Sequence, residues 1–383
     1  MQGPQAHWLP DRKRLHLNHG PIDLILEAFG ACGEVEAAYA QAVARFQTVL
    51  TELVDELPGL RRPVAASPRA FCGSTAQRME IAACAVGNRD SYVAPDRRDT
   101  RLISPRVGEM SGWTEGGAVS PASPNFFITP MAAVAGSVAD EIMAALVAGR
   151  AIDRAYVNNG GDIALHLAPG EALSVAVAGT GHGLSDRVMV RAEDRVRGIA
   201  TSGWRGRSFS LGIADAVTVL GRNGAAADAA ATVIANAVDL PGHPNIQRRP
   251  ANELAPDSDL GALMVTVDVG HLSHKEIAQA LAAGRAVAED LRRRGLIEAA
   301  ALFLAGEAAT CGDLDLRVQE GWAQSAGGGG REKRLPSPRL TNSTSVCSFA
   351  GPSFGRETGR RTPPTQRLEG QAICLNFPFA RLR

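Results

Sequence analysis

The chain has 383 residues, with 40 basic and 40 acidic side chains, a formal net charge of +0 and only 5% aromatic residues. So even a balance, with no aromatic residues interleaved along a basic stripe, excludes the electrostatic footprint of a nucleic-acid-binding protein. The six cysteines are scattered without a C-x-x-C, which fits neither a zinc site nor a disulfide framework.

Met1 to Arg14 is polar and lacks an apolar core of signal-peptide length. From Arg14 to Glu27, Leu15 and Leu17 alternate before Gly20-Pro21, and Ile22, Leu24 and Leu26 after it, predicting a hairpin. His16 and His19 sit there as structural residues. Glu34 to Leu57 follows a helical period through Val35, Ala38, Tyr39, Ala42, Val43, Phe46, Val49, Leu50 and Leu53, with Pro58-Gly59 as its stop. A second helix is expected from Ser74 to Val86. Asn88 to Asn125 mixes Arg, Asp, Gly, Ser and Pro without a period and reads as an irregular insertion.

Regularity returns at Phe126, and Ala132 to Val147 reads as a helix ending at Gly149. The apolar run Ile128 to Gly149 is interrupted by Asp140 and Glu141, too short and too charged a segment to span a bilayer. A cytoplasmic protein without a membrane partner is therefore expected. Tyr156-Val157, then Asn158-Asn159-Gly160-Gly161-Asp162, then Ile163 to Leu167 give strand, tight turn, strand. Asn-Gly and Gly-Gly form such turns in plain hairpins; equally, two glycines let a ligand's pyrophosphate or sugar approach the backbone while Asp162 bonds it.

Leu173 to Ala178 and Arg187 to Val190 read as strands on either side of the loop Gly179-Thr-Gly-His-Gly183, in which His182 is a candidate ligand contact. No helix follows that loop, so it is not a dinucleotide fingerprint. Gly198-Ile-Ala-Thr-Ser-Gly203 is a short strand feeding a loop whose hydroxyls and backbone N–H groups suit an anion. Ala216 to Leu220 is a strand, and Ala225 to Val238 a helix. Asp228 and Thr232 stand four apart on it, so both face one way and offer two hard oxygen ligands suited to Mg²⁺. Near the positive end of the helix dipole, Asp228 is expected to ionise readily.

Gly242 to Asp259 reads as irregular; Asp257 and Asp259 close their own turn or hold a cation. Leu263 to Val269 is a strand. His271 and His274 have metal-pair spacing, but Ser273 and Glu276 form a capping box that opens a helix running to Arg294, so the histidines read as helix-entry residues. The domain is drawn as 1–324, and 325–383, rich in Gly, Ser, Pro, Thr and Arg, as a disordered basic tail.

The ordered blocks Asn159-Gly-Gly-Asp162, Ala200-Thr-Ser-Gly203 and Ala227-Asp228 through Ala231-Thr232 resemble the ApbE-like superfamily, whose best-known members are magnesium-dependent FAD:protein FMN transferases. His19-Gly-Pro-Ile-Asp23 and Thr129-Pro-Met-Ala-Ala-Val-Ala-Gly136 look like an uncharacterised ApbE-related family. The resemblance implies an α+β fold of mixed, mostly antiparallel sheets with packed helices, and a ligand cleft between subdomains bounded by the Gly160-Gly161 turn, the Thr201-Ser202 loop and the Asp228 helix. It implies Asn159, Gly160, Gly161, Asp162, Thr201, Ser202 and Gly203 as FAD contacts and Asp228 and Thr232 as Mg²⁺ ligands. The partners would be a flavin nucleotide and, for a transferase, an acceptor protein. Two features depart from the pattern: Ala135-Gly136 lacks the transferases' lysine, and Arg207 to Val219 lacks their H-x-x-D-P segment. Three readings follow: FMN transfer or FAD pyrophosphate hydrolysis, flavin or nucleotide binding without turnover, or a partner-binding protein in which these motifs are mere turns.

Overall fold

The computed structural model describes residues 3–64, 73–87, 127–176 and 187–313, with two further short strands, Leu316–Arg317 and Ala372–Ile373. The segment 88–125, the loop 179–183 with His182, and all of the 325–383 tail except that last strand lie outside the described residues. The strand Ala372–Ile373 pairs in parallel with Ser174 and Val175, a departure from a tail expected to be structureless.

The chain forms β1 (Gln5–Trp8), β2 (Leu15–His19), β3 (Ile22–Gly30), α1 (Cys32–Leu60), α2 (Ser74–Val86), a 3-10 turn (Pro130–Ala133), α3 (Val134–Val147), β4 (Ile152–Asn159), β5 (Asp162–Leu167), β6 (Ala172–Ala176), β7 (Arg187–Arg191), β8 (Gly198–Ser202), β9 (Ala216–Gly221), α4 (Gly224–Ala237), β10 (Ile246–Pro250), α5 (Ala251–Leu254), β11 (Met264–Val269), α6 (His274–Arg293), β12 (Ile297–Leu304), β13 (Glu307–Cys311), β14 (Leu316–Arg317) and β15 (Ala372–Ile373). Nine strands make one sheet in the order β1-β2-β3-β4-β5-β8-β9-β12-β13, every pair antiparallel. The order β14-β7-β6-β15 makes a second sheet, and β10-β11 a separate hairpin. The α+β class with mostly antiparallel sheets holds.

Both faces of the nine-stranded sheet are covered. Helices lie on one, where Leu17, Leu24, Phe46, Ile142 and Leu146 are buried; on the other, Ile163, Leu165, Ile199 and Ala301 share a core with Val175 and Val190 of the second sheet. Central strands therefore lose the polar-out alternation that a one-sided sheet shows. β9 is buried at every position and β12 at all but one.

Three departures have physical causes. α1 does not stop before Pro58 but carries it in the last turn, because the buried Leu60 continues the core face and Arg61 N–H still reaches the Leu57 carbonyl at 3.1 Å. The segment expected to be irregular contains β10, held by its ladder to β11 and by Arg248, which bonds the Leu211 carbonyl and pairs with Asp239. Pro130–Val147 is, by length and composition, apolar enough to cross a membrane (18 residues, mean hydropathy 1.4); in this fold Val138, Ala139, Ile142 and Leu146 are core residues with no exposure. The capping box at Ser273 and Glu276 forms as expected.

Close backbone approaches set the spacing of α4. A side chain at Gly198 would lie 2.0 Å from the Asn223 carbonyl oxygen, whereas one at Gly33 in α1 would meet nothing within 4 Å. Gly198→Ala is expected to cost at least about 1–3 kcal/mol of stability by overpacking against backbone, and Gly33→Ala to be neutral or mildly stabilising as a helix-propensity gain. Denaturant unfolding of the two variants checks the contrast; equal stabilities would refute it.

Candidate functional site

Antiparallel registers gather three segments at one end of the large sheet. Asn159 pairs with Asp162, Ile163 with Ile199, and Thr201 with Thr218, so the β4–β5 turn, the end of β8 and the start of β9 lie side by side. In the turn, Gly160 and Gly161 take φ of +64° and +117°, a region that favours glycine. The Asn158 side chain closes it by accepting from Gly161 N–H at 2.8 Å. Asp162 Oδ1 accepts from Thr201 N–H at 3.3 Å, and the hydroxyls of Thr201 and Thr218 bond at 2.9 Å. Two of the separated motifs thus share a hydrogen bond.

The third motif arrives on α4, which packs against α3 at glycine-to-glycine distance: a side chain at Gly136 would come within 2.2 Å of the Gly224 carbonyl oxygen. Both oxygens of Asp140 accept from the first α4 amides, Gly224 and Ala225, at 2.8 Å, and Asn223 Oδ1 accepts from Ala226 at 2.7 Å. One short piece of α3 then connects turn and helix. Asn159 Nδ2 donates to the Ala135 carbonyl at 3.1 Å, and Gly136 N–H donates to Asp228 Oδ2 at 3.0 Å.

The electrostatics are those of crowded carboxylates. Burial pushes Asp162 up to about 7, against the opposing effects of Thr201 N–H and the Arg207 charge. Asp228 is raised well above the ordinary carboxylate range by burial first and then by the charge of Asp162, with Gly136 and Ala135 N–H opposing. Burial likewise lifts Asp140 to about 6 despite its two helix donors. The expectation that the helix dipole makes Asp228 ionise readily is thereby reversed: the dipole end is already answered by Asp140, and desolvation next to a second carboxylate outweighs what remains.

Asp228 and Thr232 follow each other one turn apart on α4, both half-buried. Among the described residues no three His, Cys, Asp or Glu side chains converge as a metal-binding group. The donor set is instead a carboxylate and a hydroxyl beside the second carboxylate of Asp162. It fits Mg²⁺, which keeps waters and is completed by ligand phosphates rather than enclosed in an all-protein cage. Ser202 stands half-buried at the end of β8. Gly203 has a packing reason to be glycine, since a side chain would lie 2.5 Å from the Asp215 carbonyl oxygen. His182 lies outside the described residues.

The histidines read as structural stay apart from these carboxylates in their bonding: His16 bridges His7 and Asp23, and His274 pairs with Glu307 at 2.6 Å. Asp257 and Asp259 do not converge on a cation. Asp257 pairs with Arg61 at 3.1 Å and Asp259 accepts from the Thr129 hydroxyl at 2.5 Å. Asp140 is visible in the sequence only as an interruption of an apolar run; a carboxylate one turn after Gly136 on a largely apolar helix is the signal for a partner. Arg207 carried no such signal.

A family model described as AbpE bacteria matches residues 6–96 and 115–310. A UPF0280 protein of Methanothrix thermoacetophila is 41% identical over 119 residues, 30% of this chain and 49% of its own. A UPF0280 protein of Methanopyrus kandleri is 36% identical over 148 residues, 38% of this chain and 58% of its own. The matched stretch thus spans about half the length of these relatives. Among solved structures, the apo flavinyl transferase ApbE of Pseudomonas stutzeri aligns with a TM-score of 0.39 at 11% identity, covering 81% of this chain and 95% of that one. The flavin transferase ApbE of Vibrio cholerae aligns with 0.38 at 14% identity, covering 80% and 97%.

Raised carboxylate pKa values have a defined consequence for stability. A group that binds its proton more tightly when folded contributes stability that is complete below the unfolded pKa of about 4 and lost as pH rises through the folded value. For Asp140 and Asp162 those folded values are about 6 and about 7. Metal-free protein is expected to melt at progressively lower temperature from about pH 5 to about pH 8, with Asp162→Asn flattening the upper part of the slope. Melting curves at constant ionic strength check this, and a wild-type melting temperature that rises over the range would contradict it.

Proposed function

Because the chain belongs to the family described as AbpE bacteria, whose model covers three quarters of it, we propose that it is an ApbE-like, Mg²⁺-dependent protein that takes FAD as substrate or ligand. The observation that carries this reading is the meeting of three blocks far apart in sequence. Asp162 accepts from Thr201, and the charge of Asp162 is felt at Asp228. Turns kept only to reverse the chain would give no reason for two half-buried carboxylates with raised pKa values to stand within electrostatic reach of each other.

Asp228 and Thr232 would hold Mg²⁺, which when bound polarises a pyrophosphate and offsets its charge. Asp228 must lose its proton to do so, so ion and proton compete for it. Thr201 and Ser202 bring hydroxyls to the same end of the sheet as the Gly160-Gly161 turn. In an FMN transfer, an acceptor hydroxyl on a partner protein forms the new bond to the FMN phosphorus, the pyrophosphate P–O bond breaks, and AMP leaves. With water as the nucleophile, the same bond breakage gives FMN and AMP.

Binding without turnover is the second reading. It is favoured by Ala135-Gly136, where the transferase pattern has a lysine, and by the missing H-x-x-D-P segment.

Calorimetric titration of FAD into the full chain, with and without Mg²⁺, followed by assay for AMP, tests both readings. Mg²⁺-dependent binding with AMP release supports an enzyme; binding without AMP supports the second reading; no binding removes both. Asp228→Ala is expected to abolish the Mg²⁺-dependent part of FAD binding while the protein still unfolds in a single cooperative transition, the loss of an acceptor for the Gly136 and Ala135 amides offsetting the relief of a buried carboxylate. Retained Mg²⁺-dependent affinity would remove Asp228 from the site.

A further inference from the structure

The loop between β8 and β9, residues 203–215, carries two arginines in different settings. Arg205 is engaged within the loop: its Nε donates to Asp215 Oδ1 at 2.6 Å, and its guanidinium lies 4.8 Å over the Trp204 ring, whose Nε1 donates to the same Asp215 oxygen at 3.2 Å. The loop itself is anchored by Trp204 N–H to the Ala214 carbonyl at 3.0 Å and by Ile213 N–H to the Val238 carbonyl at 2.8 Å. Arg207 lies outside that cluster. Its guanidinium rests over the β4–β5 turn, where a Cβ on Gly160 would come within 1.6 Å of Nη2 and 2.6 Å of Cζ. Gly160 is therefore glycine for two reasons, its φ of +64° and the guanidinium above it.

Arg207 is exposed, and it forms no hydrogen bond or ion pair among the described residues. Its charge is nonetheless felt at Asp162. An arginine held over a turn at the edge of a carboxylate site, with its five donors uncommitted, is suited to an oxyanion. The other natural anion site nearby, the α4 N-terminus, is closed: Asp140 and Asn223 accept from its first three amides, and the fourth, Ala227 N–H, donates to the Asn223 carbonyl at 3.2 Å.

We propose that Arg207 is the residue through which this protein grips the phosphate of its ligand, its guanidinium lying over the Gly160 turn beside Asp162. The identity of the rest of the ligand rests on the flavin-nucleotide reading; the phosphate contact does not. Arg207 acts as a binding residue, and its loss removes affinity in proportion to the phosphate on the probe.

The test compares wild type, Arg207→Gln and Arg207→Lys as full chains, titrated in the presence of Mg²⁺ with FAD, FMN, riboflavin and inorganic pyrophosphate. Arg207→Gln is expected to weaken FAD, FMN and pyrophosphate by at least about tenfold, as for loss of a charge-assisted phosphate contact. Riboflavin affinity and melting temperature should stay unchanged. Arg207→Lys should recover part of the loss, because it keeps the charge and loses the fork. Equal FAD and pyrophosphate affinities in wild type and Arg207→Gln would overturn the proposal and leave the flavin reading standing. Pyrophosphate binding that depends on Arg207 in a protein that binds no flavin would support the proposal and overturn the flavin reading, and a wild type that binds none of the four probes would overturn both.

Discussion

The contact on which the rest of the site depends is the glycine-to-glycine approach of α3 and α4. Gly136 and Gly224 bring two backbones so close that neither position has room for a methyl group, and the Asp140 carboxylate fixes the approach by bonding two amides at the start of α4. With no side chain between them at Gly136 and Gly224, a main-chain N–H of α3 reaches the Asp228 side chain of α4 at 3.0 Å. The same piece of α3 receives the Asn159 side chain from the sheet. One helix segment thereby sets the β4–β5 turn and the Asp228 carboxylate relative to each other, and the alanine-rich face of α4, with Ala227, Ala230 and Ala231 buried, keeps that helix low on the sheet.

What this scaffold holds together is unfavourable by itself. Asp140, Asp162 and Asp228 all have raised pKa values, each chiefly through burial. Asp140 and Asp228 each accept from two first-turn amides, Asp140 from Gly224 and Ala225 of α4 and Asp228 from Ala135 and Gly136 of α3. Asp162 has a single amide donor, Thr201, and its charge raises Asp228 further. Such an arrangement costs stability in the empty protein and gains it when a cation or a polar ligand enters, a coupling of binding to stability common at functional sites.

Much of the scaffold was legible because it rests on local rules. The β2–β3 hairpin followed from alternation around Gly20-Pro21, and α6 from its Ser273–Glu276 capping box. The two partners in the Asp162–Thr201 bond were both named as ligand contacts, though nothing in the spacing said that they would bond each other. Elements that failed local rules were harder to see. β12 is an apolar, alanine-rich run buried on both faces, so it has no alternation to report, and β10 acquires its strand geometry from β11 and from Arg248 rather than from its own residues. The relation of Arg207 to Gly160 joins two loops whose nearness is a property of strand order, and no short-range pattern carries it.

The charge of Asp228 shows why position on a helix was an insufficient guide. A carboxylate in the first turns of a helix gains about 0.3–1 kcal/mol from the dipole when it faces solvent. That gain assumes the end of the helix is free. In α4 the terminal amides already have carboxylate and amide-oxygen acceptors from Asp140 and Asn223, so the field at Asp228 is set instead by burial and by Asp162. A dipole closed by one acid cannot serve a second, nor can it serve a phosphate. An anionic ligand at this end of the sheet must then find its positive charge elsewhere, in a bound cation or in a side chain that reaches over the turn, and the loop after β8 is where the fold supplies one.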